Sequence, residues 1–218
     1  MPSASPLPLP VIVPLGDSGL LVRFADRLSE PANAATLAFA RRAGAAGLPG
    51  VSEIAPNLVS VLLRYDPRQI GFDRLAGEVR LLVSGATHEV AGKAHRIEVH
   101  YDGEDLAEVS AMLGLTAEEF IRAHGAMPLR VLAVGFAPGF VYCGFHGAAL
   151  HVPRRALVRP PVPAGTVLFA ASQTAVCATP VPTGWHVIGH TCLRNFDAEH
   201  TPPVRIVAGD SVTFEATP

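Results

Sequence analysis

Lysine is nearly missing from this 218-residue chain: Lys93 is the only one, and the remaining positive charge is carried by arginine. No basic run occurs and the formal net charge is −2, which argues against nucleic acid or an anionic membrane surface as a partner. No window approaches the roughly 20 uninterrupted apolar residues that a membrane span needs. Three cysteines, Cys143, Cys177 and Cys192, cannot all pair within the chain. Their spacing is not that of a disulfide framework, so a reducing cytoplasm is the expected home. The motifs that most often mark chemistry are absent too. The chain has no G-x-x-x-x-G-K-[ST] loop, no G-x-G-x-x-G opening a helix and no G-x-S-x-G elbow. The first ten residues hold four prolines, no Lys or Arg and no continuous apolar segment, which reads as a polyproline-like tail and not a secretory signal.

What is present is turn-forming and apolar. Twenty Gly, 20 Pro and 49% hydrophobic residues favour short elements joined by many corners around packed cores. Val11 to Val13 and Leu20 to Phe24 read as strands joined by a P-L-G-D-S-G turn, in which Asp17 serves local backbone N–H groups. A helical pattern runs from Pro31 to Ala46, with Gly44 and Gly47 ending it. Strands follow at Val51 to Ile54 and Leu58 to Tyr65, then an amphipathic helix over Gly71 to Val83. That β-β-α-β-β-α order predicts a two-layer α+β unit. Ser84 to Ala94 has linker composition. Beyond it, His95 to Tyr101 alternates as a strand, Leu106 to Leu113 reads as a helix, and Thr116 to Glu119 forms a capping box opening another. From Met127 to Phe214 the pattern is β throughout. The expected organisation is a Pro-rich tail over 1–10, an α+β domain over 11–88 and a second, β-rich domain over 89–218.

Within the β-rich half, polar side chains fall beside Gly-Pro corners: Tyr142, Arg154, Arg155, Ser172, Gln173, Thr174, Trp185, His190, Thr191 and Arg194. Such corners carry the chemistry of a small barrel whose strands form the wall. Gln173 between hydroxyl residues offers donors and acceptors to a small polar ligand, and Arg154 or Arg194 suits a carboxylate. His186, His190 and Cys192 share one face of an ideal strand, a half-site for a soft-tolerant metal. Nearby carboxylates are lacking and Gly189 interrupts the strand, so no metal is expected.

The run G-F-A-P-G-F (Gly135 to Phe140), with V-P-A-G-T-V (Val162 to Val167), S-Q-T (Ser172 to Thr174), G-W-H-V-I-G-H-T (Gly184 to Thr191) and A-G-D-S-V-T-F (Ala208 to Phe214), resembles the B subunit of bacterial 5-oxoprolinase. That family is also called allophanate hydrolase subunit 1 or KipI-like. The N-terminal half agrees through G-D-S-G-L-L-V-R-F (Gly16 to Phe24), Asn33 and the Y-D-P ending at Pro67. The resemblance implies an α+β fold in which a small two-layer α+β domain precedes a cyclophilin-like β-barrel. It implies an ATP-dependent opening of the lactam 5-oxoproline to glutamate, with ATP used at the level of a complex. Its other members would be a C-type subunit (allophanate hydrolase subunit 2-like) and an A-type subunit. The resemblance places ligand contacts at Phe136, Pro138, Tyr142, Gln173, Thr174, Trp185, His190, Thr191 and Arg194, with no catalytic residue assigned. Related domains imply two alternatives: a KipI-like inhibitor of a histidine kinase, or the carboxyltransferase half of a biotin-dependent enzyme. The chain departs from its relatives at Gly189-His190-Thr191-Cys192, where they carry a Gly-Arg-Thr-Pro-like run, so a permanent cation is replaced by a titratable one.

Overall fold

The computed structural model describes residues 9–83 and 92–217. The start of the Pro-rich tail and residues 84–91 of the expected linker lie outside them. Contacts divide the chain into two compact units, Met1–Val90 and Ala91–Pro218.

The first unit runs β1 (Val11–Leu15), β2 (Gly19–Arg23), α1 (Glu30–Ala46), β3 (Val51–Pro56), β4 (Ser60–Tyr65) and α2 (Phe72–Val83). Its strands form one antiparallel sheet in the order β1-β2-β4-β3. Helix α1 starts where Ser29, in extended conformation, accepts the Ala32 N–H, and it ends at Gly47 in the left-handed region (φ 57°). Strand alternation puts Leu20, Val22, Val61 and Leu63 on one face, and Phe39, Ala43, Leu75 and Val79 from the helices close over it. Each large side chain so buried contributes about 1.5–3 kcal/mol, which is why the sheet and helices form as one layered unit. Fully buried Asn33 donates its Nδ2–H to the Leu58 carbonyl at 2.8 Å and ties α1 to the β3–β4 turn. That turn shortens β4 relative to the sequence expectation. Asn57 donates its N–H to the Ser60 carbonyl, and its Oδ1 accepts the Leu58 N–H, so Leu58 is drawn out of the strand.

The second unit holds β5 (Ala94–Val99), α3 (Leu106–Met112), α4 (Ala117–His124), β6 (Leu129–Val134), β7 (Val141–Gly144), β8 (Arg159–Val162), β9 (Thr166–Ala170), β10 (Gln173–Val176), β11 (Val181–Thr183), β12 (His186–His190) and β13 (Ser211–Ala216). Strands β8 and β11 pair as a separate ribbon. The other seven form one curled sheet in the order β12-β9-β10-β7-β6-β13-β5, antiparallel except for β13 beside β5. The chain leaving β5 closes the curl by crossing β12. His100 and His190 exchange backbone hydrogen bonds at 2.9 Å, and the Gly103 and Asp105 N–H groups donate to Ile188 and Val187 at 3.3 and 3.0 Å. Glycine makes this seam possible, since a Cβ on Gly189 would stand 2.2 Å from the His100 carbonyl oxygen. The capping box at Thr116 and Glu119 is formed as expected and starts α4. Side chains alternate between two packed faces. Val131, Cys143, Phe169, Val176, Ile188 and Phe214 fill the interior with Phe120 of α4, while Tyr142, Leu168, Ala175 and Trp185 pack on the outer face.

Candidate functional site

Four polar side chains run in series through the barrel interior. The Tyr101 hydroxyl lies 2.8 Å from His124 Nδ1, His124 Nε2 lies 2.7 Å from Thr174 Oγ1, and Thr174 Oγ1 lies 2.8 Å from His146 Nε2. Each part has a local origin. The capping box fixes the start of α4, so His124, four residues after Phe120, faces inward with it. Thr174 is inward because its neighbours Gln173 and Ala175 are outward. Burial, reinforced by the nearby His146, pushes the His124 pKa well down, and burial alone brings His146 to about 4. Burial also raises the Tyr101 phenol above its ordinary range. All four groups are therefore neutral near pH 7. A hydroxyl has one proton, so Thr174 donates to one histidine and accepts from the other. If Tyr101 donates to His124, then His124 donates to Thr174 and Thr174 donates to His146. Reversing the series keeps every member neutral only when one proton enters at Tyr101 as another leaves His146, so the series can act as a relay between its two ends.

His146 ends this series at the tip of a strained hairpin. Only Ala171 and Ser172 join β9 to β10, and both are left-handed, at φ 51° and 59°. This is the geometry that Asn-Gly usually serves, and holding Ala and Ser in it costs about 1–2 kcal/mol per residue. The surroundings enforce it. The Ala171 N–H donates to the Val152 carbonyl at 2.7 Å, and the Ser172 carbonyl accepts the His146 N–H at 2.9 Å. The Ser172 hydroxyl lies 3.0 Å from Nδ1 of the exposed His151. Ser172, His151, Gln173 and His146 thus converge at one end of the barrel, the arrangement of a hydroxyl beside a base with a polar amide alongside.

The residues expected to contact a ligand occupy several places. Phe136, Pro138, Tyr142, Gln173 and Trp185 share the outer face and its corner. Phe136 stands exposed in a left-handed conformation (φ 75°) and begins a ladder of rings. Centroid distances are 5.7 Å from Phe136 to Phe140, 4.7 Å on to Tyr142 and 6.1 Å on to Trp185, over which the Arg154 guanidinium sits at 5.4 Å. Thr174 is fully buried and meets the hairpin end of the barrel only through His146. His190 pairs with Thr166 at the opposite end of β9 from Ala170, the partner of Gln173. Four residues of strand, about 13 Å, separate those two ends. There His190 bonds Asp102 at 2.7 Å and stacks on His100. Thr191 is buried, its hydroxyl accepting the Leu193 N–H, and Arg194 lies in a separate cleft.

The metal face suggested by His186, His190 and Cys192 does not form. The register shifts between Val187 and Gly189, so His186 is opposite Phe169 on the interior side while His190 is opposite Thr166 on the other. His186 instead donates Nε2–H to the Pro153 carbonyl at 3.0 Å, which leaves its buried Nδ1 without a partner. Ligand atoms of His186, Asp105 and Glu108 lie within 4.8 Å of one another. Asp105 is nevertheless already saturated. One oxygen accepts from Arg155 at 2.8 Å and Arg159 at 3.0 Å, and the other accepts from Arg159 at 2.8 Å and the Val187 N–H at 2.7 Å. A cation here would have to displace an arginine, so the group fits a clamp across the barrel seam better than a metal centre. Cys143 and Cys177 are buried, and burial raises their thiols to about 12.

Comparison with known proteins gives this geometry a family. A profile described as "Carboxyltransferase domain, subdomain C and D" matches residues 10–206. The 5-oxoprolinase B subunit of Bacillus subtilis (strain 168) is 34% identical over 215 residues, covering 92% of this chain and 90% of that protein. This chain belongs to the family of 5-oxoprolinase B subunits. Among solved structures, TTHA0988 is 36% identical with a TM-score of 0.82 over 92% of this chain, which spans only 40% of TTHA0988. The Kluyveromyces lactis urea amidolyase is 13% identical with a TM-score of 0.78; this chain covers 15% of it, and the likeness shows the fold alone. The two-domain α+β architecture with a cyclophilin-like barrel, expected from the motifs, is the fold observed.

In this member of the 5-oxoprolinase family, the sequence reading missed Tyr101, His124 and His146 as members of the site. The available signal for His124 was its i, i+4 spacing from Phe120 behind a capping box. It also missed Asp105, the residue before α3, whose side chain accepts no capping bond from its own helix.

Proposed function

We propose that the chain is the B subunit of an ATP-dependent 5-oxoprolinase, acting in the cytoplasm with partners of the C and A type and inactive alone. The observation that carries this reading is identity along both units to a protein named as the B subunit of 5-oxoprolinase, over nine-tenths of each chain. The reaction is 5-oxoproline, ATP and water to glutamate, ADP and phosphate. A lactam carbonyl is a poor electrophile, so ATP-driven activation must precede ring opening. This chain's contribution is proposed at the hairpin end of the barrel. Gln173 and Tyr142, flanked by Phe136, Pro138 and Trp185, orient the substrate amide, and His146 and Ser172–His151 move protons to or from the ring nitrogen and attacking water. The interior series through Thr174 and His124 sets the His146 tautomer. Exposed His190, beside buried Thr191, acts at the far end, in contact with a partner protein of the complex.

Reconstitution tests this directly. The three proteins, co-expressed and purified, release glutamate from 5-oxoproline only with ATP and only with this chain present. Full activity from the A-type and C-type partners alone overturns the proposal. The family description favours one second reading, a carboxyltransferase half. It requires a biotinylated carrier, and carboxyl transfer to or from biotin in place of glutamate release selects it.

A further inference from the structure

The barrel unit also carries a cleft of about 480 Å³ that the proposed site does not use. Lys93, Arg194 and Arg205 line it with His95 and His200, against a single carboxylate, Asp197. Three permanent cations facing one acid is an uneven balance in a chain of net charge −2, and it includes the chain's only lysine.

Both walls are rigidly held. On one, the buried Asn195 side chain joins the segment carrying Arg194 to the segment carrying Arg205. Its Nδ2 donates to the Gly139 and Ile206 carbonyls at 3.0 and 3.3 Å, and its Oδ1 accepts the Arg205 and Ile206 N–H groups at 3.2 and 2.7 Å. One amide thereby spends its whole capacity on shaping the wall. On the other, the buried Asp210 carboxylate accepts the Lys93 N–H at 2.9 Å, His95 Nε2 at 2.8 Å and the Val207 N–H at 3.1 Å. Asp197 is engaged by His200 at 2.7 Å and the Glu199 N–H at 3.0 Å. The Lys93 ammonium and the Arg194 guanidinium have no acidic partner among the described residues. Fixed backbone carrying uncompensated cations toward one concavity is the design of an anion site: the frame offsets in advance the repulsion that binding relieves.

We propose that this cleft binds a small oxyanion, a carboxylate or phosphate group gripped by Lys93 and Arg194 with Arg205 beside them. Arginine supplies a bidentate fork and lysine a point charge. Carboxylate and phosphate both occur among the reactants of the proposed reaction, but the inference stands on the cleft and outlives that reading if it fails.

Calorimetric titration of the full chain at low ionic strength tests it, with 5-oxoproline, inorganic phosphate and ATP as separate probes. At least one binds with a Kd of about 1 mM or tighter. Lys93→Ala and Arg194→Ala each weaken that binding about tenfold or more, the loss expected for one charge-assisted hydrogen bond, and Arg194→Lys recovers part of it. Binding of 5-oxoproline without phosphate assigns a carboxylate site, and the reverse assigns a phosphate site. Arg74→Ala, an exposed arginine of the other unit, leaves binding unchanged. Both cleft side chains are exposed, so the variants keep the wild-type Tm. The proposal is overturned if no probe binds by about 10 mM, well past millimolar affinity. It is equally overturned if the two alanine variants bind as wild type does, or if Arg74→Ala weakens binding as much as they do.

Discussion

Lowering the pH from 7.5 to 5 should destabilise the barrel unit through its own interior, because two neutral histidines are sealed there. His124 is fully buried and His146 is 5% exposed. A histidine whose folded pKa lies below its unfolded value binds fewer protons in the native state. Its stabilising effect is therefore complete above pH 6.5 and is lost as the pH falls toward the folded pKa. For His146 that window runs from 6.5 to about 4. At roughly 1.4 kcal/mol per pH unit, His146 alone costs the fold about 2 kcal/mol between pH 7.5 and 5. His124, lowered by burial and by His146, adds a loss of the same sign. Together they remove a large part of the 5–15 kcal/mol typical of a folded domain. The carboxylates held low, such as Asp210 and Asp197, lose their contribution at more acidic pH and leave this window to the histidines. Trp185 is the chain's single tryptophan and sits in this unit. Urea unfolding followed by its fluorescence at four pH values between 7.5 and 5 therefore reports the barrel alone. His146→Gln should flatten the pH dependence by about half. NMR of the imidazole carbons should show both rings neutral at pH 5 in the wild type. A His146→Gln variant that loses stability as steeply as wild type, or rings that titrate near 6.5, would refute the reasoning.

Thr174→Val keeps the shape but strips the shared hydroxyl from both histidines, leaving two buried ring nitrogens unsatisfied. The expected loss is about 2–4 kcal/mol by urea denaturation, with Thr174→Ser within about 1 kcal/mol of wild type. Ser172→Gly relieves a left-handed residue and should leave stability unchanged or raise it by up to about 1 kcal/mol, read as a Tm rise of a few degrees, while reducing turnover in the reconstituted complex. Gly189→Ala forces a Cβ to within 2.2 Å of the His100 oxygen. It should open the barrel seam, seen as faster amide exchange at His100, Gly103 and His190. Asp105→Asn leaves Arg155 and Arg159 only the exposed carboxylates of Glu108 and Glu104 across the same seam and should cost about 3 kcal/mol.

Most of the fold was legible because its signals are local. Ser29 and Gly47 bracket α1, Thr116 and Glu119 open α4, and alternation marks β5 and β13. What sequence cannot encode so locally is the seam. His100 and His190 are 90 positions apart, and only the closure of the sheet brings them together. The bulge between Val187 and Gly189 shows the same limit on a smaller scale. Even spacing in the sequence promised His186 and His190 one face, and a single extra residue in the strand separated them.

The candidate site was half legible for a related reason. Gln173 and Thr174 are neighbours in the chain, and both looked suited to a ligand, yet a strand turns adjacent side chains to opposite faces. Only Gln173 can meet a ligand from outside; Thr174 can act solely by what it does to His146. That division argues for a specific test of role. Thr174→Ser keeps the hydroxyl and should retain both stability and turnover. Gln173→Ala, at a half-buried position outside the core, should retain stability and lose turnover by raising the KM. If Gln173→Ala instead unfolds the barrel while leaving the KM of the surviving enzyme unchanged, the outer face is packing surface, and ligand binding must be sought at the cleft of Lys93 and Arg194 or on a partner protein of the complex.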